Sequence, residues 1–268
     1  KKKITKQLGD GKLLSKLTKK KVVYDFRQND LKNGGEGAPL TPIFHKMLAE
    51  KFNLVQKKIS PSNQATFVNI GGITNITRVD SDFNIYAIDC GPGMCLIDKW
   101  IRLNSENKID KDGKIASKGN IKNEIVRYYI TKIHRLLSNY RVSLDVSNFN
   151  LSLVKNLSLE DGAATLTELT AVNTLEWAER YVVEKTILIL CGGGRKNKFL
   201  LERMKKYSNQ YFKGRLKMID EFNIDGDYVE SQAFAYLAIR SYLGLPISFP
   251  QTTGCNEPCT GGVIVKNF

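Results

Sequence analysis

Two neighbouring stretches decide the fold: FVNIGGITNIT at residues 67–77 and IYAIDCGPG at residues 85–93. Each begins as an apolar β-run, and each carries a tight glycine turn. Backbone N–H groups at such turns can bind an anion, because glycine lets other groups approach closely. Asp89 stands just before the second turn, so a carboxylate that can hold a metal lies beside donors for phosphate. This combination is typical of nucleotide-dependent phosphoryl transfer.

Strands and helices alternate along the rest of the chain, which indicates an α/β fold with a mixed sheet. Apolar runs predict a strand at 22–27, a β-hairpin at 66–91, and further strands at 185–191 and 217–219. A long glycine loop is expected at 33–40. Apolar residues at helical spacing predict helices at 42–52, 96–103, 121–137, 158–181, 196–206 and 227–243.

Length and composition set the broad class of the protein. At 268 residues with 42% apolar residues, the chain can form one large domain or two. Because no run of about 18 apolar residues occurs, no membrane association is expected. The first six residues are basic but lack a following apolar region, so we predict no signal peptide and a cytoplasmic location.

The cysteines and histidines argue against a metal centre. The five cysteines form no Cys-x-x-Cys pair, and the chain has only two histidines. We therefore predict no zinc site, and we expect Cys90 and Cys191 to be core residues in a reducing compartment.

The net charge of +14 favours an anionic ligand. Lys and Arg are spread along the sequence, with one dense patch at residues 16–21, and no aromatic-interleaved RNA motif occurs. No nucleic-acid partner is therefore expected, although a basic nucleic-acid-binding module is the third alternative for this chain.

Three further features can carry chemistry. The turn at Gly192, Gly193 and Gly194 follows an apolar strand, and Asn197 opens a helix, as in a nucleotide-binding turn or a helix-packing turn. Asp25 ends a predicted strand before the glycine loop, where it is either an active acid or a turn residue. Glu230 lies on an otherwise apolar helix, as a solvated flank or a substrate ligand.

The motifs, taken in chain order, resemble the anhydro-N-acetylmuramic acid kinase family. The likeness covers nearly the whole chain and is weakest over residues 104–157. It is carried by QLGDG (7–11), DFR (25–27), GGEGAPL (34–40), NIGGITNIT (69–77), DCGPG (89–93), CGGG (191–194), ESQAFA (230–235), GLP (244–246) and TTG (252–254).

The resemblance implies the actin-like ATPase (ribonuclease H-like) fold of the sugar kinase/Hsp70/actin superfamily, with two lobes and mixed sheets flanked by helices. Residues 1–65 would be the last portion of the first lobe. Residues 66–268 would be the second lobe, with the tail packing back toward the first. The family's Gly-Thr-Ser phosphate loop is expected upstream of the segment that opens this chain, so the first lobe would be incomplete.

The resemblance also implies a reaction. Such kinases use ATP and Mg²⁺ to open 1,6-anhydro-N-acetylmuramic acid with water and to phosphorylate O6, as part of peptidoglycan recycling. Asp25 would be the catalytic base, no residue is assigned as a metal ligand, and the remaining roles fall into three groups. These are the sugar site (Glu230, Gly35, Gly37), the phosphate-side turns (Gly71, Gly72, Asn75, Asp89, Gly91, Gly93) and the adenosine side (Gly192, Gly193, Gly194, Asn197).

Two departures from the family pattern stand at Met94, where the family usually has Asn, and at Glu36, where it usually has Gln. The alternative to an active kinase is a truncated, inactive remnant or one half of a split kinase that binds only sugar or nucleotide. Its partner would be a separately encoded N-terminal segment, and a homodimer is the other assembly the resemblance suggests.

Overall fold

The centre of the protein is one mixed five-stranded sheet. The computed structural model describes residues 5–55, 64–137, 143–181, 186–211 and 215–268. Its strands are β2 (Ala65–Ile70), β3 (Ile73–Val79), β4 (Ile85–Pro92), β5 (Ile187–Cys191) and β6 (Arg215–Met218). They lie in the order β4-β3-β2-β5-β6, with β3 antiparallel to both β2 and β4, and with β5 and β6 parallel to β2. The predicted α/β class and mixed sheet are confirmed.

Helices cover both faces of this sheet, because alternate residues of its strands are apolar on each side. Val68 and Ile70 face one core, which four helices complete, and Ala65 and Phe67 face the other. Every residue of β5 is buried, as expected for a central strand covered on both faces. The first core contains α4 (Cys95–Asn104), α5 (Asn123–Leu137), α6 (Leu159–Tyr181) and α7 (Lys198–Tyr211), and the second α3 (Pro42–Lys51) and α8 (Val229–Tyr242).

A smaller two-stranded sheet joins the two ends of the chain. Strand β1 (Val22–Tyr24) pairs antiparallel with β7 (Val263–Val265). The tail therefore lies against residues that the sequence assigns to the first lobe, while the division of lobes at residue 65 stays a prediction. The short helices nearby are α1 (Gly11–Thr18), α2 (Gln28–Lys32) and α9 (Pro250–Thr253).

The strand expected at 22–27 is too long. It ends at Tyr24, because Asp25 has a φ of 57°, a left-handed conformation that no strand can continue through. Helix α1 was absent from the sequence expectation. It is short, and it is initiated by Asp10, whose carboxylate accepts the N–H groups of Lys12 (2.9 Å) and Leu13 (3.0 Å).

Helix α6 packs against the sheet and holds the second glycine turn through two side-chain hydrogen bonds. The Thr170 hydroxyl donates to the carbonyl of Gly93 (2.8 Å), and the Asn173 amide donates to the carbonyl of Cys90 (2.9 Å). Both side chains are buried, so these bonds fix the turn to a rigid helix. Within the described residues, no helix is long and apolar enough to cross a membrane.

Candidate functional site

The first two glycine turns lie directly against each other. The carbonyl of Gly71 accepts the N–H of Met94 (2.7 Å), and that of Gly72 accepts the N–H of Gly93 (2.9 Å). A Cβ at Gly93 would stand 2.3 Å from the Gly71 oxygen, so only glycine permits this approach. Gly91 is equally restricted, because its φ is +144° and a Cβ would stand 2.6 Å from the Asn173 amide nitrogen.

In the triple-glycine turn, Gly192 and Gly194 are closely packed, whereas Gly193 faces open space. A Cβ at Gly192 would lie 2.5 Å from Asn69 Oδ1, and one at Gly194 would lie 2.4 Å from Ile70 Cγ2. At Gly193, an added Cβ would have no described atom within 4 Å. Gly192 and Gly193 line a cavity of about 230 Å³, together with Thr41, His45, Asn69, Arg195, Lys196, Gly226, Asp227, Val229 and Glu230.

A larger cleft of about 660 Å³ lies beside this cavity. Its walls are the glycine loop, the ends of the central strands and the first turn of α8, which contribute Glu36, Asn69, Asn75, Asp89 and Glu230 among others. Thr41, Asn69 and Glu230 line both spaces. The two spaces are therefore neighbours and can receive a ligand with two parts.

Asp89 and Arg27 dominate the electrostatics of the cleft. Burial raises the pKa of Asp89 to about 6, although the Leu144 N–H (2.8 Å), the Ser143 hydroxyl (3.4 Å) and the charge of Arg27 oppose the shift. Burial lowers the pKa of Arg27, and the charges of Asp89, Glu230 and Asp30 counteract it. Arg27 also donates to the carbonyl of Gly37 (3.1 Å). Among the cleft-lining residues, Arg27 therefore places a positive charge near the carboxylates of Asp89 and Glu230.

Asp25 lies elsewhere. It lines a groove of about 640 Å³ along α1, beside Leu13, Leu14 and Tyr24, rather than the cleft that Asp89 and Glu230 line. Its φ of 57° ends the alternation of strand residues at Tyr24. Thr5 lines both the α1 groove and the cleft, and the role of Asp25 as the base stays a prediction.

Several other predicted site residues do not line the cleft but support the residues that do. Gly35 and Gly37 are buried around Asp30: a Cβ at Gly35 would lie 2.1 Å from Asp30 Oδ2, which accepts the Gly37 N–H at 2.6 Å. Their neighbours Glu36 and Ala38 line the cleft. Asn197 is buried, and its Oδ1 accepts the Leu200 N–H (3.0 Å), so it caps α7.

Sequence reasoning missed some of the lining residues. Arg27 was inside a quoted motif, and its proximity to an acid and a glycine loop was the available signal. Arg195 is held by Asp220 (2.9 Å) and Asp227 (2.7 Å) beside the triple-glycine turn. His45 is a third such residue. It is buried and stacked on Phe67, with its pKa lowered to about 3 by burial, yet it also lines the smaller cavity.

Known proteins resemble this chain over almost its whole length. The family model described as anhydro-N-acetylmuramic acid kinase matches residues 1–267. The chain belongs to the anhydro-N-acetylmuramic acid kinase family. Its predicted class as a kinase is thereby confirmed.

Curated relatives carry the same family name. One from Pelagibacter ubique is 46% identical over 274 residues, covering 99% of this chain and 70% of the relative. One from Agrobacterium fabrum is 40% identical (98% and 69% covered), and one from Brucella canis is 38% identical (98% and 69% covered).

A solved structure, the activator of the 2-hydroxyisocaproyl-CoA dehydratase from Clostridium difficile with bound ADPNP, is 16% identical. It has a TM-score of 0.38 and covers 68% of this chain and 66% of its own. That likeness is too low to support any statement about this chain.

Proposed function

We propose that the protein is an ATP- and Mg²⁺-dependent kinase that opens 1,6-anhydro-N-acetylmuramic acid with water and phosphorylates the released O6. The products are N-acetylmuramic acid 6-phosphate and ADP. The observation that carries the proposal is the cleft with Asp89, Glu230 and Arg27, adjoining the cavity at the triple-glycine turn. Family membership supplies the substrate class.

Asp89, rather than Asp25, is the base that this geometry favours. A general base must reach the water that it deprotonates, and Asp89 lines the cleft while Asp25 lines the α1 groove. A base works best when its pKa is close to the working pH, and burial brings the pKa of Asp89 to about 6. The positive charge of Arg27 opposes a further rise in the pKa of Asp89.

The proposed chemistry balances as follows. Asp89 accepts a proton from water as the water oxygen bonds to C1 and the C1–O6 bond breaks. The electron pair of that bond stays on O6, which attacks the γ-phosphorus, and ADP leaves. Glu230 faces the same cleft from the first turn of α8 and holds hydroxyl groups of the sugar.

The smaller cavity fits the nucleotide. Gly193 presents bare backbone there. Arg195 and Lys196 also line the cavity, although Asp220 and Asp227 pair with their charges. Mg²⁺ in such sites usually binds one or two carboxylates together with substrate phosphates. Asp145 and Glu230 also line the cleft, so carboxylates other than the proposed base would hold this ion, which would neutralise phosphate charge.

The alternative is a chain that binds sugar or nucleotide without transferring phosphate, as a remnant or as one half of a split kinase. In that case isothermal titration would detect ligand binding, while no product would form. The two readings therefore differ in one measurable quantity, the turnover of bound substrate.

The decisive assay incubates the protein with ATP, Mg²⁺ and the anhydro-sugar and follows the 6-phosphate by mass spectrometry. It is run with the chain alone and with the chain joined to a segment that carries the family's Gly-Thr-Ser loop. Product in ¹⁸O-water should carry one heavy atom at C1 and none at O6. If neither preparation forms product, the kinase proposal is wrong.

A further inference from the structure

A buried cluster of soft and acidic side chains lies outside the cleft. Asp30 of α2 and two tail residues, Cys255 and Cys259, place ligand atoms within 4.8 Å of one another. The three residues are only 1%, 2% and 8% exposed, respectively. The proposed kinase chemistry uses none of the three.

The donor set is one that suits a metal ion. Cys255 and Cys259 are separated by three residues, a spacing within the range of structural zinc sites. The third donor, Asp30, is remote in sequence, which is why the sequence alone predicted no zinc site. A fourth donor is available, because the Ser248 hydroxyl oxygen lies 3.1 Å from Cys259 Sγ.

We propose that Asp30, Cys255 and Cys259 form a structural zinc site, with the Ser248 hydroxyl or a water as the fourth ligand. Two thiolates with one carboxylate favour Zn²⁺ over Mg²⁺ or Ca²⁺, which prefer oxygen ligands only. The site is closed by burial, as structural zinc sites are.

Hydrogen bonds already orient the carboxylate. Asp30 Oδ1 accepts from the Thr253 hydroxyl at 2.6 Å, and Oδ2 accepts from the Gly37 N–H at 2.6 Å. Ligating carboxylates in metal sites are commonly held in this way by neighbouring donors. Each Asp30 oxygen retains a lone pair for the ion, since an ionised carboxylate offers about four acceptor positions.

A metal ion at this cluster would also support the loop that lines the cleft. Asp30 supports the glycine loop through Gly35 and Gly37, and this loop lines the cleft. An ion at the cluster would tie the tail to α2 and to the loop. The inference does not rest on the proposed function, because the cluster is separate from the cleft residues.

Two other uses of the cluster are possible outcomes of the test. The thiols could be a plain buried pair, or Cys255 and Cys259 could be oxidised to a disulfide. Neither use calls for the carboxylate that stands within 4.8 Å of both sulfur atoms. The charge of Arg27 already acts on Asp30, so the metal is favoured by the set of donors and not by a need for charge compensation.

The test uses the whole chain, reduced and freed of metal with EDTA, and titrated with Co²⁺ as a spectroscopic probe. We expect one Co²⁺ per chain, a thiolate-to-cobalt charge-transfer band, and loss of the band when Zn²⁺ is added. Cys255→Ser and Cys259→Ser should each reduce the band and weaken binding at least about 100-fold, more than loss of a supporting residue causes, and the double variant should lose the band. The matched control is Cys191→Ala, a buried cysteine in β5, which should bind as the wild type does.

A second measurement needs no variant. X-ray absorption at the zinc edge of the wild type should report two sulfur ligands, with oxygen completing the shell, and Zn²⁺ should raise the melting temperature by mass action. A shell of nitrogen and oxygen alone would overturn the proposal. So would a cobalt band that survives in the Cys255→Ser/Cys259→Ser double variant, or two thiols found as a disulfide before reduction.

Discussion

Replacing Asp89 by Asn tests whether this buried carboxylate is kept for chemistry at the expense of stability. Asn has nearly the same shape and can still accept the Leu144 N–H, but it cannot take a proton from water. If Asp89 is the base, kcat should fall by about 10²- to 10⁴-fold. The matched control is Asp25→Asn, which should retain activity within a few-fold, because Asp25 lines the α1 groove.

The same substitution should stabilise the fold, and the size of the effect depends on pH. The pKa of Asp89 rises from 3.8 to about 6 on folding, and each unit corresponds to about 1.4 kcal/mol. Above pH 6 the folded state therefore carries a cost of up to about 3 kcal/mol for the ionised group. Below pH 3.8 both states are protonated, and the cost vanishes. Asp89→Asn should raise the free energy of unfolding at pH 7.5 but not near pH 4.

The assay is denaturant unfolding of wild type and variant at pH 7.5, 6.0, 5.0 and 4.0, paired with the kinase assay. A stability gain that grows between pH 4 and pH 7, together with lost turnover, supports the argument. Two results would refute it: an equal stability difference at every pH, or Asp25→Asn losing more activity than Asp89→Asn. The wild-type kcat/KM should also fall as the pH drops through about 6, because the base then becomes protonated.

Three more perturbations test other parts of the site and fold. Glu230→Gln should raise KM for the sugar about 10- to 100-fold and KM for ATP by less, because a charged hydrogen-bond acceptor is lost from the cleft and Glu230 also lines the smaller cavity; equal shifts in both constants would contradict its placement. Gly93→Ala should lower the melting temperature and raise KM for ATP, since the Cβ would stand 2.3 Å from the Gly71 oxygen. Arg203→Met should cost about 3–5 kcal/mol in a urea titration, because it removes the cation that pairs with the buried Glu168, which keeps a hydrogen bond from the Tyr207 hydroxyl. Adding Glu168→Gln should restore most of that loss.

The sequence predicted the class of fold well because its signals were local. The strands at 67–77 and 85–93 and the helices around them follow from apolar spacing, and the structure places their boundaries within a few residues. The polar stripe of α6 is the exception. Thr170 and Asn173 interrupt its apolar pattern. The reason is a tertiary contact that the sequence does not show, since both side chains donate to carbonyl groups of the second glycine turn, at Gly93 and Cys90.

The site was harder to predict, because a motif does not say where a side chain points. Asp25 and Arg27 share one motif, yet the acid lines the α1 groove and the arginine lines the cleft. Asn197 accepts the Leu200 N–H and caps a helix, and its contact with the nucleotide stays a prediction. The zinc cluster could not be found at all, since its third donor comes from 225 residues upstream of the first cysteine.

Asp30 shows why the cleft depends on residues far from it. The tail contributes Thr253, the loop contributes Gly37, and α2 contributes the carboxylate that binds both. Gly35 must be glycine because Asp30 occupies the position of its Cβ. A loop that is fixed at Asp30 and at Thr253, whose carbonyl accepts the Glu36 N–H (2.9 Å), can line a binding site without losing its shape when the substrate leaves. We therefore place the origin of cleft geometry in this buried carboxylate and its neighbours, and not in the glycines that first suggested a binding loop.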